Sequence, residues 1–223
     1  QLDAIFVQKD ENCRYLSKFT GSDSYLLLTK EELYLLTDSR YTEQARKEAA
    51  DYTVVDYKGH LAEIVAKLAG EYHIKTMGVE TVFSYQMYLS FHKYMPNIEF
   101  RFSQIDRLRQ IKSEEEIAMI AQAEKIGDLA FEHILGYIKP GISELDVALE
   151  LEYYMKKQGA SSLSFTTIVA SGARSQMPHG VASAKKIEMG DLITMDYGCI
   201  YQGYCSDMTR TVALGSITDE QKR

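Results

Sequence analysis

Cysteine, long hydrophobic runs and surplus positive charge are what this sequence has least of, and each shortage narrows the reading. Only three cysteines occur, Cys13, Cys199 and Cys205, with no CxxC pair among them. An odd count without that spacing fits free thiols in a reducing compartment, so the expected location is cytoplasmic. No stretch approaches the ~18 consecutive apolar residues of a membrane span, and none has the layout of a signal peptide, so no membrane partner is expected. Basic residues number 25 against 32 acidic, a net charge of −7. A nucleic-acid partner normally requires a basic face that displaces counterions from phosphate, so none is expected. The chain opens on Gln1 rather than an initiator Met, which suggests a native N-terminus further upstream.

What remains is the composition of a globular protein: 223 residues, 45% hydrophobic and 26% charged, enough for one large domain or two modest ones. No internal repeat or low-complexity stretch interrupts it. The first half alternates strands and helices. Short apolar runs predict strands at Ala4 to Val7, Tyr25 to Thr29, Leu33 to Thr37, Tyr52 to Asp56, Met77 to Glu80 and Ile98 to Phe102. Helices are predicted at Tyr41 to Ala50, His60 to Ala69 and Tyr85 to Tyr94, with Gly70 placed as the C-cap of the second. This alternation predicts an α/β domain with a mixed sheet.

The style changes after a polar stretch from Asp106 to Lys112, and a domain border is placed between residues 108 and 109. Ser113-Glu114-Glu115-Glu116 is a capping box that should open a long helix running to about Ile138, stopped by Pro140-Gly141. Ser143 should cap a second helix ending near Gly159, and strands follow at Phe165 to Ala170, Leu192 to Tyr201 and Tyr204 to Leu214. Two helices followed by antiparallel strands predict an α+β second domain over residues 109–223.

The chemistry concentrates in the last two strands. Tyr201-Gln202-Gly203 supplies a tight turn, and Asp196 and Asp207 are eleven positions apart. Opposed residues in a hairpin with a two-residue loop have numbers that add to an odd total, so both carboxylates fall on one face. They should be directly opposed or one step diagonal, about 4.5–8 Å apart between Cβ atoms. Two metal ions about 3.5–4 Å apart fit between such groups. Thr194, Thr209 and Thr211 share that face, whereas Ile193, Met195, Met208 and Val212 take the other. The apolar face must pack on the core, which leaves the acidic one lining a cleft or meeting solvent. On spacing alone, an exposed hairpin with ordinary surface aspartates is an equal alternative.

His179 stands seventeen positions before Asp196, in Met177-Pro178-His179-Gly180. Proline and glycine make that backbone a turn, from which an imidazole can point into a cleft and donate a hydrogen bond to a carbonyl or a tetrahedral oxyanion. His60, His73, His92 and His133 lack such a setting and are read as structural.

These residues form a pattern. Phe165-Thr166-Thr167-Ile168-Val169-Ala170-Ser171-Gly172, Pro178-His179-Gly180, Gly190-Asp191, Asp196-Tyr197-Gly198 and Ser206-Asp207-Met208-Thr209-Arg210-Thr211 resemble the first half of the pita-bread (creatinase/prolidase-like) metallopeptidases. Asn12-Cys13-Arg14-Tyr15-Leu16, Phe19-Thr20-Gly21-Ser22, Thr37-Asp38-Ser39-Arg40-Tyr41 and Ile111-Lys112-Ser113 are most similar to bacterial Xaa-Pro aminopeptidases and dipeptidases.

The resemblance implies a creatinase-like N-terminal domain over residues 1–108, then the first half of a pita-bread catalytic domain. It implies Asp196 chelating one metal ion, Asp207 bridging two, His179 steadying the substrate carbonyl, and Thr209 orienting a carboxylate or the water between the ions. The cofactor implied is a pair of divalent ions, Mn first, with Co or Zn also compatible with such ligands. The substrate implied is a peptide with proline in second position, and the assembly a homodimer or higher homo-oligomer. Aminopeptidase is placed ahead of dipeptidase (prolidase). A non-catalytic binding module of the same fold is the alternative from another class.

The family also requires a further His and two Glu ligands. Beyond Asp207 the sequence holds no His, and only Asp219 and Glu220 as acidic residues. The expectation is a truncated chain, inactive alone and prone to self-association. In the N-terminal half, Asp38 and Arg40 are read as an ion pair capping the Tyr41 helix.

Overall fold

The paired leucines Leu26-Leu27 and Leu35-Leu36 show how the first sheet is built. Alternate residues of a strand point to opposite faces, so both members of a pair can be buried only if both faces are covered. In a computed structural model describing residues 2–222, that is what happens. The chain divides into two compact units, Gln1–Ile111 and Lys112–Arg223.

The first unit holds strands β1 (Ala4–Val7), β2 (Ser24–Thr29), β3 (Leu33–Thr37), β4 (Thr53–Asp56), β5 (Thr76–Val79) and β6 (Glu99–Phe102), in the order β4-β3-β2-β1-β5-β6. The β1–β2 and β2–β3 pairs are antiparallel; β1–β5, β5–β6 and β3–β4 are parallel, giving the mixed sheet expected. Helices α3 (Leu61–Glu71) and α4 (Tyr85–Tyr94) cover one face, where Phe6, Leu27 and Leu36 meet Val65 and Phe91. Helices α1 (Asp10–Ser17) and α2 (Thr42–Glu48) cover the other, where Val7, Leu26 and Leu35 meet Cys13 and Ala45.

Helix α1 has no counterpart among the predicted elements, because its buried side is largely polar. Asn12 is buried and donates to Glu80, itself fully buried, and to Asp106 at 2.8 Å. Glu80 also accepts the backbone amides of Gln8 and Lys9 at the entry to α1, so the helix is held by a carboxylate rather than by an apolar stripe. Gly70 lies inside α3 rather than at its C-cap, where the sequence placed it. The helix ends at Glu71 with Tyr72 as its C-cap, and His73 takes the left-handed conformation (φ 51°) while the Ile74 amide reaches back to the Ala69 carbonyl. Arg40 pairs with Asp38 and Asp23 as an exposed cluster, but no side chain caps α2.

In the second unit, α5 (Glu114–Tyr137) and α6 (Glu144–Lys157) open with complete capping boxes, Ser113 with Glu116 and Ser143 with Asp146. The strands are β7 (Ser162–Leu163), β8 (Ile168–Ser171), β9 (Leu192–Tyr197), β10 (Cys199–Tyr201), β11 (Tyr204–Cys205) and β12 (Met208–Ala213). They form two small sheets, β11-β10-β7 and β12-β9-β8. Ile126, Ala130 and Ile134 of α5 and Leu151 and Met155 of α6 pack with Val169, Ile193, Met195, Tyr197 and Met208. The helices therefore cover one face of the second sheet. Gly127 lies against the end of the Met208 side chain: a Cβ there would stand 2.5 Å from Met208 Cε, so the thioether would have to turn aside.

The long strands predicted for residues 192–201 and 204–214 are each broken, at Gly198 and at Ser206-Asp207. A Cβ on Gly198 would overlap the Ser206 carbonyl oxygen and the Ser164 hydroxyl. Only glycine lets the chain cross there from one sheet to the other.

Candidate metal centre

The candidate site is built by the β9–β12 pairing, and its register comes from the turn. Gln202 (φ 47°) and Gly203 (φ 83°) both lie in the left-handed region, the signature of a two-residue type I′ loop, and Tyr201 pairs with Tyr204 across it. The same register runs on beyond the break: Tyr197 pairs with Met208, Asp196 with Thr209, Met195 with Arg210 and Thr194 with Thr211. Asp196 thus faces Thr209 directly, and Asp207 stands one step diagonal to it.

Burial separates the two faces as the odd spacing requires. Ile193, Met195 and Tyr197 are wholly buried and Met208 nearly so. Asp196 and Thr194 are half-buried, while Asp207, Thr209 and Thr211 are exposed. Thr209 Oγ1 donates to Asp196 Oδ1 at 3.0 Å, and the Thr194 and Thr211 hydroxyls are 3.1 Å apart. The Asp207 amide donates to Glu124 Oε1 at 3.3 Å, which secures its backbone to α5.

His179 sits on an exposed turn closed by the Gly180 amide on the Met177 carbonyl (3.1 Å). Val181 then bridges Ile168, which pairs with Asp196. The turn therefore abuts the edge of the sheet that carries the aspartates. Gly180 lies close over Ala170, since a Cβ there would be 2.9 Å from that methyl group. Among the described residues no hydrogen bond ties the His179 side chain.

The loop around His179 is fixed by residues that belong to no local motif. Glu144, the first residue of α6, is fully buried. It accepts from the amide and hydroxyl of Ser171 (2.8 and 3.0 Å), the amide and hydroxyl of Ser183 (3.1 and 2.6 Å) and the Arg174 guanidinium (3.1 Å). Beside it, Lys185 Nζ reaches Asp191 Oδ2 at 2.8 Å and Ser171 Oγ at 3.0 Å. Serines at both ends of a loop are a weak sequence signal, and nothing local pairs them with a glutamate 27 and 39 residues away.

Burial alone would raise the Glu144 carboxyl, but the bonds from Ser183, Ser171 and Arg174 outweigh it and hold the group below the ordinary glutamate value. A depressed folded value stabilises the protein above the unfolded pKa, and that contribution is lost as pH falls through the folded one. Stability against urea is therefore expected to fall as pH drops below about 4.3. E144Q should flatten that dependence. Parallel slopes for the two proteins between pH 5 and 3 would refute the assignment.

Two carboxylates on one face, one of them oriented by a hydroxyl, are suitable donors for a hard divalent ion. Among the described residues, no group of three or more His, Cys, Asp or Glu side chains could hold an ion, so the donor set present here is partial.

Comparison with known proteins matches residues 1–111 to the creatinase/prolidase N-terminal domain and residues 118–223 to metallopeptidase family M24. An uncharacterized peptidase of Bacillus subtilis, YqhT, is 44% identical over 99% of this chain and 64% of its own length. Among solved structures, an Xaa-Pro dipeptidase from Bacillus anthracis superposes with a TM-score of 0.95 at 44% identity, covering 99% of this chain and 63% of that one. An X-Pro aminopeptidase from Thermotoga maritima gives 0.91 at 38% identity, covering 99% and 65%. The chain thus spans just under two thirds of the length of these relatives. With its mixed α/β first unit, its helix-backed antiparallel second unit and both halves matched, the chain belongs to the M24 metallopeptidases that carry a creatinase/prolidase N-terminal domain.

Proposed function

We propose that the whole protein is a metal-dependent peptidase that removes the residue preceding a proline at the N-terminus of a peptide. The observation that carries this reading is the diagonal pair Asp196 and Asp207 on the open face of β9 and β12, with Thr209 bonded to Asp196. Proline calls for a dedicated site because its amide lacks an N–H and its ring fixes φ, so sites built around an ordinary peptide fit it poorly.

In this reading Asp196 and Asp207 hold the ions, and both are hard oxygen donors suited to Mn, with Co or Zn also accepted. The bound ions supply Lewis acidity and activate water near neutral pH. Thr209 fixes the rotation of the Asp196 carboxylate, so that its free lone pairs keep one direction. His179, on its exposed turn beside the sheet, donates a hydrogen bond to the substrate carbonyl and to the oxyanion that develops from it.

Aminopeptidase action is preferred to dipeptidase action, and both names occur among the similar structures. Comparing an Xaa-Pro dipeptide with an Xaa-Pro-Xaa tripeptide on the active protein separates them. The tripeptide is expected to give the higher kcat/KM, and cleavage restricted to the dipeptide would reverse the assignment. The same reading expects a homodimer or larger assembly, which sedimentation of the active protein would report.

A further inference from the structure

We propose that Glu144 and Arg174 act as a clamp that positions His179, an inference resting on the reading of His179 as a substrate-facing residue. Neither clamp residue touches the aspartates, so their role is positioning rather than catalysis.

The segment bearing His179 leaves β8 at Ser171 and returns at Ser183, and both ends are bound to one carboxylate. Ser171 donates twice to Glu144 Oε1, and Ser183 donates twice to Oε2. Arg174 carries the restraint onward. Its Nε lies 3.1 Å from Glu144 Oε2, and its Nη2 donates to the Val181 carbonyl at 2.8 Å, two residues beyond His179. The guanidinium fork thus spans from a buried anion to the far side of the His179 turn, which a planar group with divergent donors does well.

The backbone supports the same assembly. Entering α6, the amides of Glu144 and Leu145 donate to the carbonyls of Lys185 and Ser183 at 3.0 and 3.1 Å, and Gly141 donates to Ile187 at 2.9 Å. First-turn helix amides, which lack partners within the helix, are thereby used to dock the returning segment. The carboxylate is fully buried and the guanidinium about a third exposed (0% and 31% of their side chains). Charge-assisted bonds in such a setting are worth more than exposed pairs. The His179 side chain has no hydrogen bond of its own among the described residues, so its placement depends on the backbone that this clamp holds.

The clamp can be read on the chain itself without turnover, by hydrogen exchange and by the His179 ring cross-peak in NMR. In R174A, the amides of residues 175–177 and 179–182 are expected to exchange about tenfold faster or more. The His179 ring signal should move toward its unfolded position, while the amides of α5 stay protected. E144A should do the same, and R174A keeps the test decisive if E144A does not fold. An unmoved His179 signal in R174A, or exchange that rises equally throughout α5, would overturn the proposal. In the active peptidase, R174A should lower kcat with KM changed less than about twofold, and add nothing to the loss in H179A. Should H179A leave turnover intact, the role given to His179 falls, and the exchange and NMR results still judge the clamp separately.

Discussion

Replacing Asp207 by asparagine is expected to lower turnover of an Xaa-Pro peptide by about three orders of magnitude or more, with loss of bound metal. The substitution keeps shape and removes one negative charge immediately before β12, one step diagonal to Asp196, the one carboxylate among the paired residues of β9 and β12. Like charges one diagonal step apart repel unless a cation lies between them, so the charge is useful there mainly as a ligand. The apolar side of the hairpin is untouched, and Met208 beside Asp207 remains buried in the core. Stability should therefore change little, or rise slightly as the repulsion is relieved. Kinetics and metal content measured together decide the matter. A variant that keeps more than a tenth of wild-type kcat/KM with its metal still bound would remove Asp207 from the site.

With two carboxylates and no third donor grouped with them among the described residues, calorimetric titration of the 223-residue chain with Mn should reveal at most millimolar affinity. Submillimolar binding of Mn by a verified preparation of that length would contradict this.

Replacing Gly198 by alanine should be the most destabilising single change in the second unit, at about 3 kcal/mol or more. The added methyl group would overlap the Ser206 carbonyl oxygen and lie 2.8 Å from the carbonyl carbon, and backbone has little freedom to retreat. Retreat is further limited because the Ser206 amide donates to the Cys199 carbonyl and Ser206 Oγ accepts from the Cys199 amide, at 2.8 and 3.0 Å. Moving Ser206 also moves Asp207, so any G198A protein that folds should bind metal more weakly. Urea unfolding and metal titration test both statements. A loss below about 1 kcal/mol would mean that the crossing at residue 198 relaxes easily.

Whatever depended on local periodicity was legible before the fold was known. The capping boxes at Ser113 and Ser143 start helices because a serine hydroxyl and an acidic side chain three residues on complete each other's hydrogen bonds. The shared face of Asp196 and Asp207 follows from the odd separation and a two-residue turn, and Gln202-Gly203 adopts that turn. The mixed sheet was similarly announced by apolar runs alternating with helical spacing.

Tertiary structure decided what no local pattern encodes. The break of each long strand at Gly198 and Ser206-Asp207 arises from the close approach of two backbone segments. Helix α1 carries little local signature because much of its buried side answers to Glu80, some seventy residues away. The closure of the His179 loop on Glu144 is of the same kind. Which face carries the carboxylates was a local matter, since a strand's period is two whatever surrounds it. Only the folded chain chose the diagonal register, the crossing at Gly198 and the buried anion behind His179, because side-chain hydrogen bonds between distant segments leave no periodic trace.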